Sequence, residues 1–111
     1  MTWLVKLTDN WADEMDIEGF SIMSDEEFVQ WMTTVSLVAD KIDEGHSFEW
    51  YIGTNEWIDW ENSNDFKDAF YCEVITDEEA NILKRLLLEG FDKYGLFPSI
   101  QDMNYFLKDE G

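Results

Sequence analysis

The chain has 111 residues, 45% of them apolar and 16% aromatic, which is enough to build one compact domain over residues 1–111 with its own core. Acidic residues number 26 and basic residues seven, so the formal net charge is −19 at pH 7. That charge disfavours direct binding to nucleic acid or to an anionic membrane, since both need clustered Lys and Arg. The single cysteine, Cys72, excludes an internal disulfide. Neither a secretory leader nor a run of about 20 apolar residues is present, so we expect a soluble cytoplasmic protein.

Two strands are predicted at the start of the chain. Trp3, Val5 and Leu7 recur at every second position, which is the period of a strand. A second strand is predicted over residues 15–22. Its alternation changes phase at Glu18–Gly19, as happens at a β-bulge.

The most regular pattern predicts a helix over about residues 24–44. Ser24 and Glu27 have the spacing of a capping box, in which each side chain accepts a hydrogen bond from the other residue's backbone amide. Apolar residues then recur about every 3.6 positions through Ile42. Gly45 is typical of the residue that follows a helix.

Three further strands are predicted in the middle of the chain. Residues 48–53 alternate, and residues 57–61 form the next strand-like segment. The stretch Asn-Ser-Asn-Asp at 62–65 is typical of a turn. Residues 70–75, with the sequence FYCEVI, are rich in the aromatic and β-branched residues that favour strands.

The C-terminal part is predicted to be helical, and the complete order of elements indicates the fold class. A second capping box, Thr76 to Glu79, predicts a helix over about residues 76–94 that ends at Gly95. Residues 99–107 predict a short C-terminal helix. We therefore predict an α+β fold, in which an antiparallel sheet of four to five strands carries the two main helices on one face.

Few of the side chains that catalysis or metal binding needs are present. His46 is the only histidine, and its place at a helix end favours a capping role over catalysis. One His and one Cys exclude the common zinc sites. Residues 14–25 match part of an EF-hand loop, but no helix precedes them and Asp25 stands where a bidentate Glu is usual, which favours an acidic bulged hairpin. We expect no enzymatic activity, no cofactor and no bound metal.

The acidic side chains are concentrated in two segments that lack Lys and Arg, residues 13–27 and residues 43–65, with seven acids in each. In a strand over 57–61, Trp57 shares one face with Asp59 and Glu61, and carboxylates two residues apart are separated by about 6.6 Å. That separation is similar to the spacing of successive phosphates in a nucleic-acid strand. A Trp among carboxylates can anchor a basic partner, because its ring attracts cations. The predicted partner-binding residues are Glu49, Glu56, Trp57, Asp59, Trp60, Glu61 and Asp65, together with Asp13, Glu14, Asp16, Glu18, Asp25 and Glu26.

These features predict a non-enzymatic acidic inhibitor that binds the positively charged nucleic-acid-binding groove of a nuclease or other DNA-binding protein, that is, a DNA mimic. In size, acidity, aromatic content and lack of catalytic residues, the chain resembles small phage-encoded antagonists of host restriction and CRISPR nucleases. The resemblance is one of composition without a shared motif, and it implies action in the host cell cytoplasm. One alternative is an immunity protein that neutralises a basic nuclease toxin. Others are a cation-binding protein or small carboxylate enzyme, and an ordinary domain from a halophile.

Overall fold

The computed structural model describes the backbone of residues 1–11, 14–53, 56–87, 93–95 and 97–108, and the side chains of residues 1–8, 19–50, 59–86 and 97–108. The elements in chain order are β1 (Thr2–Trp11), β2 (Glu14–Ser24), α1 (Asp25–Asp43), β3 (Phe48–Gly53), β4 (Glu56–Trp60), α2 (Ser63–Asp68), β5 (Phe70–Ile75), α3 (Asp77–Leu87), β6 (Lys93–Gly95) and α4 (Ile100–Lys108). The chain divides into two compact units. The sheet unit comprises Met1–Phe28 and Phe70–Phe97, and the hairpin unit comprises Val29–Ala69 and Pro98–Gly111.

The sheet unit is built on a four-stranded antiparallel sheet in the order β5-β1-β2-β6. β1 is a central strand, with β2 on one side and β5 on the other. Leu7 pairs with Gly19 and Thr8 with Ile17, so Glu18 is the extra residue of a β-bulge. The bulge predicted at Glu18–Gly19 is therefore confirmed.

Helix α3 covers one face of this sheet. The buried cluster between them consists of Leu4, Ile22 and Ile75 from the sheet and Ala80 from α3, with Phe20 of β2 and Leu83 of α3 packed against it. On the opposite face, Val5 and Leu7 have no exposed surface. Burial of a Leu or Val side chain contributes about 1.5–3 kcal/mol, so β1 stabilises the unit through both of its faces.

The hairpin unit is held together by aromatic side chains. β3 and β4 form a two-stranded antiparallel sheet, an arrangement that is marginally stable when it is isolated. Phe48 of β3 packs against Trp60 and Phe66, with ring centroids 5.6 Å apart in both pairs, and against Phe106 of α4 at 4.8 Å. Trp31 of α1 is also buried in this unit. Aromatic contacts of this kind add about 0.5–1.5 kcal/mol each to the area that they bury.

Side chains cap every described helix at its N-terminus. Ser24 and Glu27 form the predicted capping box of α1, with hydrogen bonds of 3.2 and 3.4 Å. Thr76 and Glu79 form that of α3, with two bonds of 3.0 Å. The corresponding residues for α2 and α4 are Asn62 and the pair Ser99 and Asp102.

The C-terminus of α1 has the geometry that its sequence predicts. Gly45 has a φ of 102°, and its amide donates to the Ile42 carbonyl at 3.0 Å. The backbone amide of His46 donates to the Lys41 carbonyl at 3.4 Å, which completes a Schellman motif. A residue with a Cβ is strained at this φ, which explains the glycine.

The α+β class is confirmed, and three details of the predicted fold are wrong. The strands form two sheets instead of one. α3 is described over Asp77–Leu87 and does not reach residue 94, because Lys93–Gly95 pairs with β2 as strand β6. The segment predicted as a turn at 62–65 contains the start of α2. Among the helices that the structure describes, none is both long and apolar enough to cross a lipid bilayer.

Candidate protein-binding surfaces

The β3–β4 hairpin places two carboxylates directly opposite each other. Glu49 of β3 pairs in register with Asp59 of β4, and both side chains are exposed. Directly opposed residues of an antiparallel pair have Cβ atoms about 4.5–5.5 Å apart, and like charges there are destabilising. Glu61 and Asp65, both exposed, follow in the chain. We call Glu49, Asp59, Glu61 and Asp65 the hairpin acids.

The alternation of the two strands explains why these acids are exposed. Phe48 and Trp60 are opposed in the same register and are both buried, so their neighbours Glu49 and Asp59 lie on the opposite face. Across the residues that the structure describes, the carboxylates of the hairpin acids have neither an ion pair nor a hydrogen bond. Their charge is therefore uncompensated by neighbouring side chains.

The assignment of Trp60 to the partner-binding residues is wrong. Trp60 is 4% exposed and packs edge-on against Phe66, with ring centroids 5.1 Å apart. Its indole contributes to the core of the hairpin unit and cannot reach a partner. Glu56 and Trp57 lie in β4, where the structure describes their backbone only, so their roles stay predictions.

A second group of carboxylates lies at one end of the four-stranded sheet. Thr2 of β1 pairs with Ser24 on one side and with Ile75 on the other. Because α1 begins directly after Ser24 and α3 begins two residues after Ile75, both helices start at the same end of the sheet. The ends of β2 and β5 are two strand spacings apart, a distance of about 10 Å. We call the six acids of the two first turns the twin-cap acids: Asp25, Glu26, Glu27, Asp77, Glu78 and Glu79.

Hydrogen bonds fix four of the twin-cap acids. Asp25 accepts from Trp3 Nε1 at 2.7 Å and from the N-terminal ammonium at 3.2 Å. Asp77 accepts from the Thr2 hydroxyl at 2.8 Å, and Glu27 and Glu79 accept the capping-box bonds. All six side chains are nevertheless exposed. These four carboxylates are therefore ordered in advance of any binding event, which lowers the entropy cost of recognition.

Two of these carboxyl groups have lowered pKa values. The hydrogen bond from Trp3, aided by the N-terminal ammonium, lowers the pKa of Asp25 below its ordinary 3.8. Hydrogen bonds from the Thr76 backbone and hydroxyl lower the pKa of Glu79 below 4.5. In both cases the donor stabilises the ionised form, so these sites keep their negative charge in moderately acidic solution.

Two lysines near these elements are already engaged. Lys6 of β1 forms an ion pair with Glu73 of β5, with Nζ 3.4 Å from Oε1. Lys41 of α1 donates to the Phe106 carbonyl, and its ammonium lies 4.6 Å from the centre of the Phe106 ring. These two of the seven basic residues therefore contact Glu73 and Phe106, and neither forms an ion pair with the hairpin acids or the twin-cap acids.

The remaining predicted site residues lie partly outside the described structure. Asp13 is outside the described residues, and the structure describes Glu14, Asp16 and Glu18 by their backbone alone. Their strand, β2, is paired with β1, so β1 and β2 form the predicted bulged hairpin, and residues 14–24 are a strand and not the loop of an EF-hand. In the described part of the chain, no three His, Cys, Asp or Glu side chains are grouped to hold a metal ion.

The sequence-based prediction missed Asp77, Glu78 and Glu79 as site residues. Their segment, Thr-Asp-Glu-Glu, repeats the pattern Ser-Asp-Glu-Glu at residues 24–27. The repetition was visible in the sequence, but it indicates only two helix starts. The register of β1 with both neighbouring strands brings the two copies together.

No protein-family model, curated protein or solved structure matches this chain. Its function is therefore inferred from the residues and their geometry.

Proposed function

We propose that this chain is a non-enzymatic acidic inhibitor that binds the positively charged nucleic-acid-binding groove of a nuclease or another DNA-binding protein. The observation that carries the proposal is the exposed pair Glu49 and Asp59, opposed across β3 and β4 with no cationic neighbour among the described residues. Restriction and CRISPR nucleases are the proposed targets, since both bind DNA through basic grooves.

Energetics support a role in binding for this pair. Like charges at opposed strand positions cost about 0.2–1 kcal/mol, so the arrangement makes the free protein less stable. In a groove lined with Lys and Arg the same carboxylates gain attractive partners, and the cost is offset in the complex. The formal charge of −19 adds long-range steering towards a basic surface.

The twin-cap acids supply a second, pre-ordered surface of the same sign. Asp25 and Asp77 are fixed by bonds to neighbouring residues of β1, so their charges occupy defined positions, as phosphates do in a duplex. Glu26 and Glu78 lie beside them and are exposed. We include Glu56 and Trp57 in the proposed contact on the strength of the sequence alone.

The experiment that tests the proposal is an affinity pulldown from bacterial lysate at low and at high salt. The bait variant Asp59→Lys with Glu61→Lys reverses two hairpin acids. The control, Asp40→Lys with Asp43→Lys, makes the same change in net charge at two exposed positions of α1.

We expect a DNA-binding protein to be retained at low salt and released at high salt, because ion pairs at the interface are screened. The hairpin variant should lose it, and the α1 control should keep it. Equal retention by all three baits would contradict the proposed surface, and retention of no basic protein would contradict the proposed function.

A further inference from the structure

Strand β5 is an edge of the four-stranded sheet. It pairs with β1 along its whole length, from Phe70 to Ile75, and the strand order places no other described strand on its outer side. Residues of an antiparallel edge strand alternately direct their backbone N–H and C=O groups towards the neighbour and away from it. By this alternation, three of the six residues of β5 direct their backbone N–H and C=O groups away from β1.

Two apolar side chains of β5 are exposed. Tyr71 is 58% exposed and Val74 is 51% exposed, on opposite faces of the strand. Natural edge strands are usually protected by Lys, Pro, a bulge or an inward-pointing charge. β5 has neither Lys nor Pro, and its one charged residue, Glu73, is paired with Lys6. Its pairing with β1 is continuous, without a bulge.

We infer that β5 accepts a strand from the basic protein partner, which extends the sheet by strand addition. The inference rests on the proposed function, since that function makes the partner a basic protein. Main-chain hydrogen bonds would supply affinity, and Tyr71 and Val74 would contact alternate side chains of the added strand.

Charge complementarity favours this occupant over a second copy of the chain. The end of β5 leads directly into Asp77, Glu78 and Glu79, which are exposed at the start of α3. An added strand carrying Lys or Arg is attracted there, whereas a second copy brings another charge of −19. A contact along the six residues of β5 alone also buries well below the roughly 1,200 Å² of a stable protein interface. The added strand is therefore part of a larger interface, which the basic partner of the proposed function supplies.

The test uses the full chain labelled with ¹⁵N and a synthetic eight-residue peptide of alternating Lys and Val. Amide hydrogen exchange is followed by NMR with and without the peptide. Two further peptides have the same sequence and are N-methylated at every other residue, one along one edge of the strand and one along the other. Each keeps the side chains and the charge but cannot form main-chain hydrogen bonds along its methylated edge.

In the free protein we expect alternate β5 amides to be protected and the others to exchange rapidly. The unmethylated peptide should protect the second set, and methylation of the pairing edge should weaken binding about tenfold or more, because several main-chain hydrogen bonds are lost. Val74→Lys should weaken peptide binding more than Val29→Lys, a control that makes the same charge change at an α1 side chain 62% exposed.

Three outcomes would overturn the inference. The peptide could bind without protecting any β5 amide, or bind equally well when methylated on either edge. Alternatively, protection of the outward amides could grow with protein concentration in the absence of peptide, which would identify a second copy as the occupant. Each of these outcomes leaves the hairpin-acid pulldown, and with it the proposed function, to be judged separately.

Discussion

Replacing Glu49 by Lys should make the free protein more stable while it weakens binding to the proposed basic partner. Glu49 and Asp59 are opposed in the register of β3 and β4, and both are exposed. At a separation of about 5 Å in water, their repulsion is about 0.8 kcal/mol, which screening at 0.15 M salt reduces to about 0.4 kcal/mol. Reversing one charge converts repulsion into attraction, so the change is about twice these values.

The assay is urea denaturation followed by tryptophan fluorescence at low salt and at 0.15 M salt. We expect Glu49→Lys to raise the free energy of unfolding by about 1.6 kcal/mol at low salt and about 0.8 kcal/mol at 0.15 M. Glu49→Gln should give about half of each increase. A double-mutant cycle of Glu49→Gln and Asp59→Asn isolates the pairwise interaction from the change in net charge.

A coupling energy near zero at low salt would refute this reasoning, because it would mean that the opposed carboxylates do not repel each other in the free protein. An equal gain at both salt concentrations would also refute it, since a charge interaction at an exposed site must be screened. If stability rises but binding is unchanged, the pair is repulsive without belonging to the binding surface.

Three further predictions concern the framework that carries these surfaces. Thr76→Ala should lower the free energy of unfolding by about 1 kcal/mol through loss of the α3 cap. Thr76→Ser keeps a hydroxyl and should retain most of the wild-type stability, and urea denaturation measures both changes. Trp60→Ala should cost about 3–5 kcal/mol, because the side chain is 4% exposed beside Phe48 and Phe66, and Trp60→Phe should cost clearly less by the same assay. The pKa of Glu79 is lowered in the folded state, so its ionised form stabilises the fold above its ordinary value of 4.5, and that contribution is lost as pH falls through the folded pKa. The stability advantage of the wild type over Glu79→Gln should thus shrink below pH 4.5 in denaturation series, and an advantage that grows there would contradict the assignment.

Local signals in the sequence predicted the local structure well. The capping boxes at Ser24 and Thr76 located the starts of α1 and α3, because the side-chain bonds that define them involve residues only three positions apart. The phase change at Glu18–Gly19 located the bulge for a similar reason, since an extra residue must shift the alternation. Each of these features is determined within a few residues of the chain.

Features that depend on distant residues were not predictable in the same way. The apolar pattern beyond Leu87 suits a helix, but Lys93–Gly95 pairs with β2, a partner over 70 residues earlier in the chain. The alternation of β4 places Trp60 and Asp59 on opposite faces of the strand. Whether the indole of Trp60 is buried, however, depends on Phe48 and Phe66. The same limit explains the missed twin-cap acids, which strand register alone brings together.

The central claim is that the chain occupies a DNA-binding groove, and competition with DNA tests it most directly. The DNA-binding protein retained in the pulldown is saturated with fluorescent duplex DNA, and the chain is titrated in while anisotropy is recorded. We predict complete displacement of the DNA, with a midpoint that rises with DNA concentration and shifts upward for Asp59→Lys with Glu61→Lys. Duplex that stays bound at a saturating concentration of the chain would contradict the claim and would indicate an immunity-type inhibitor that binds beside the groove.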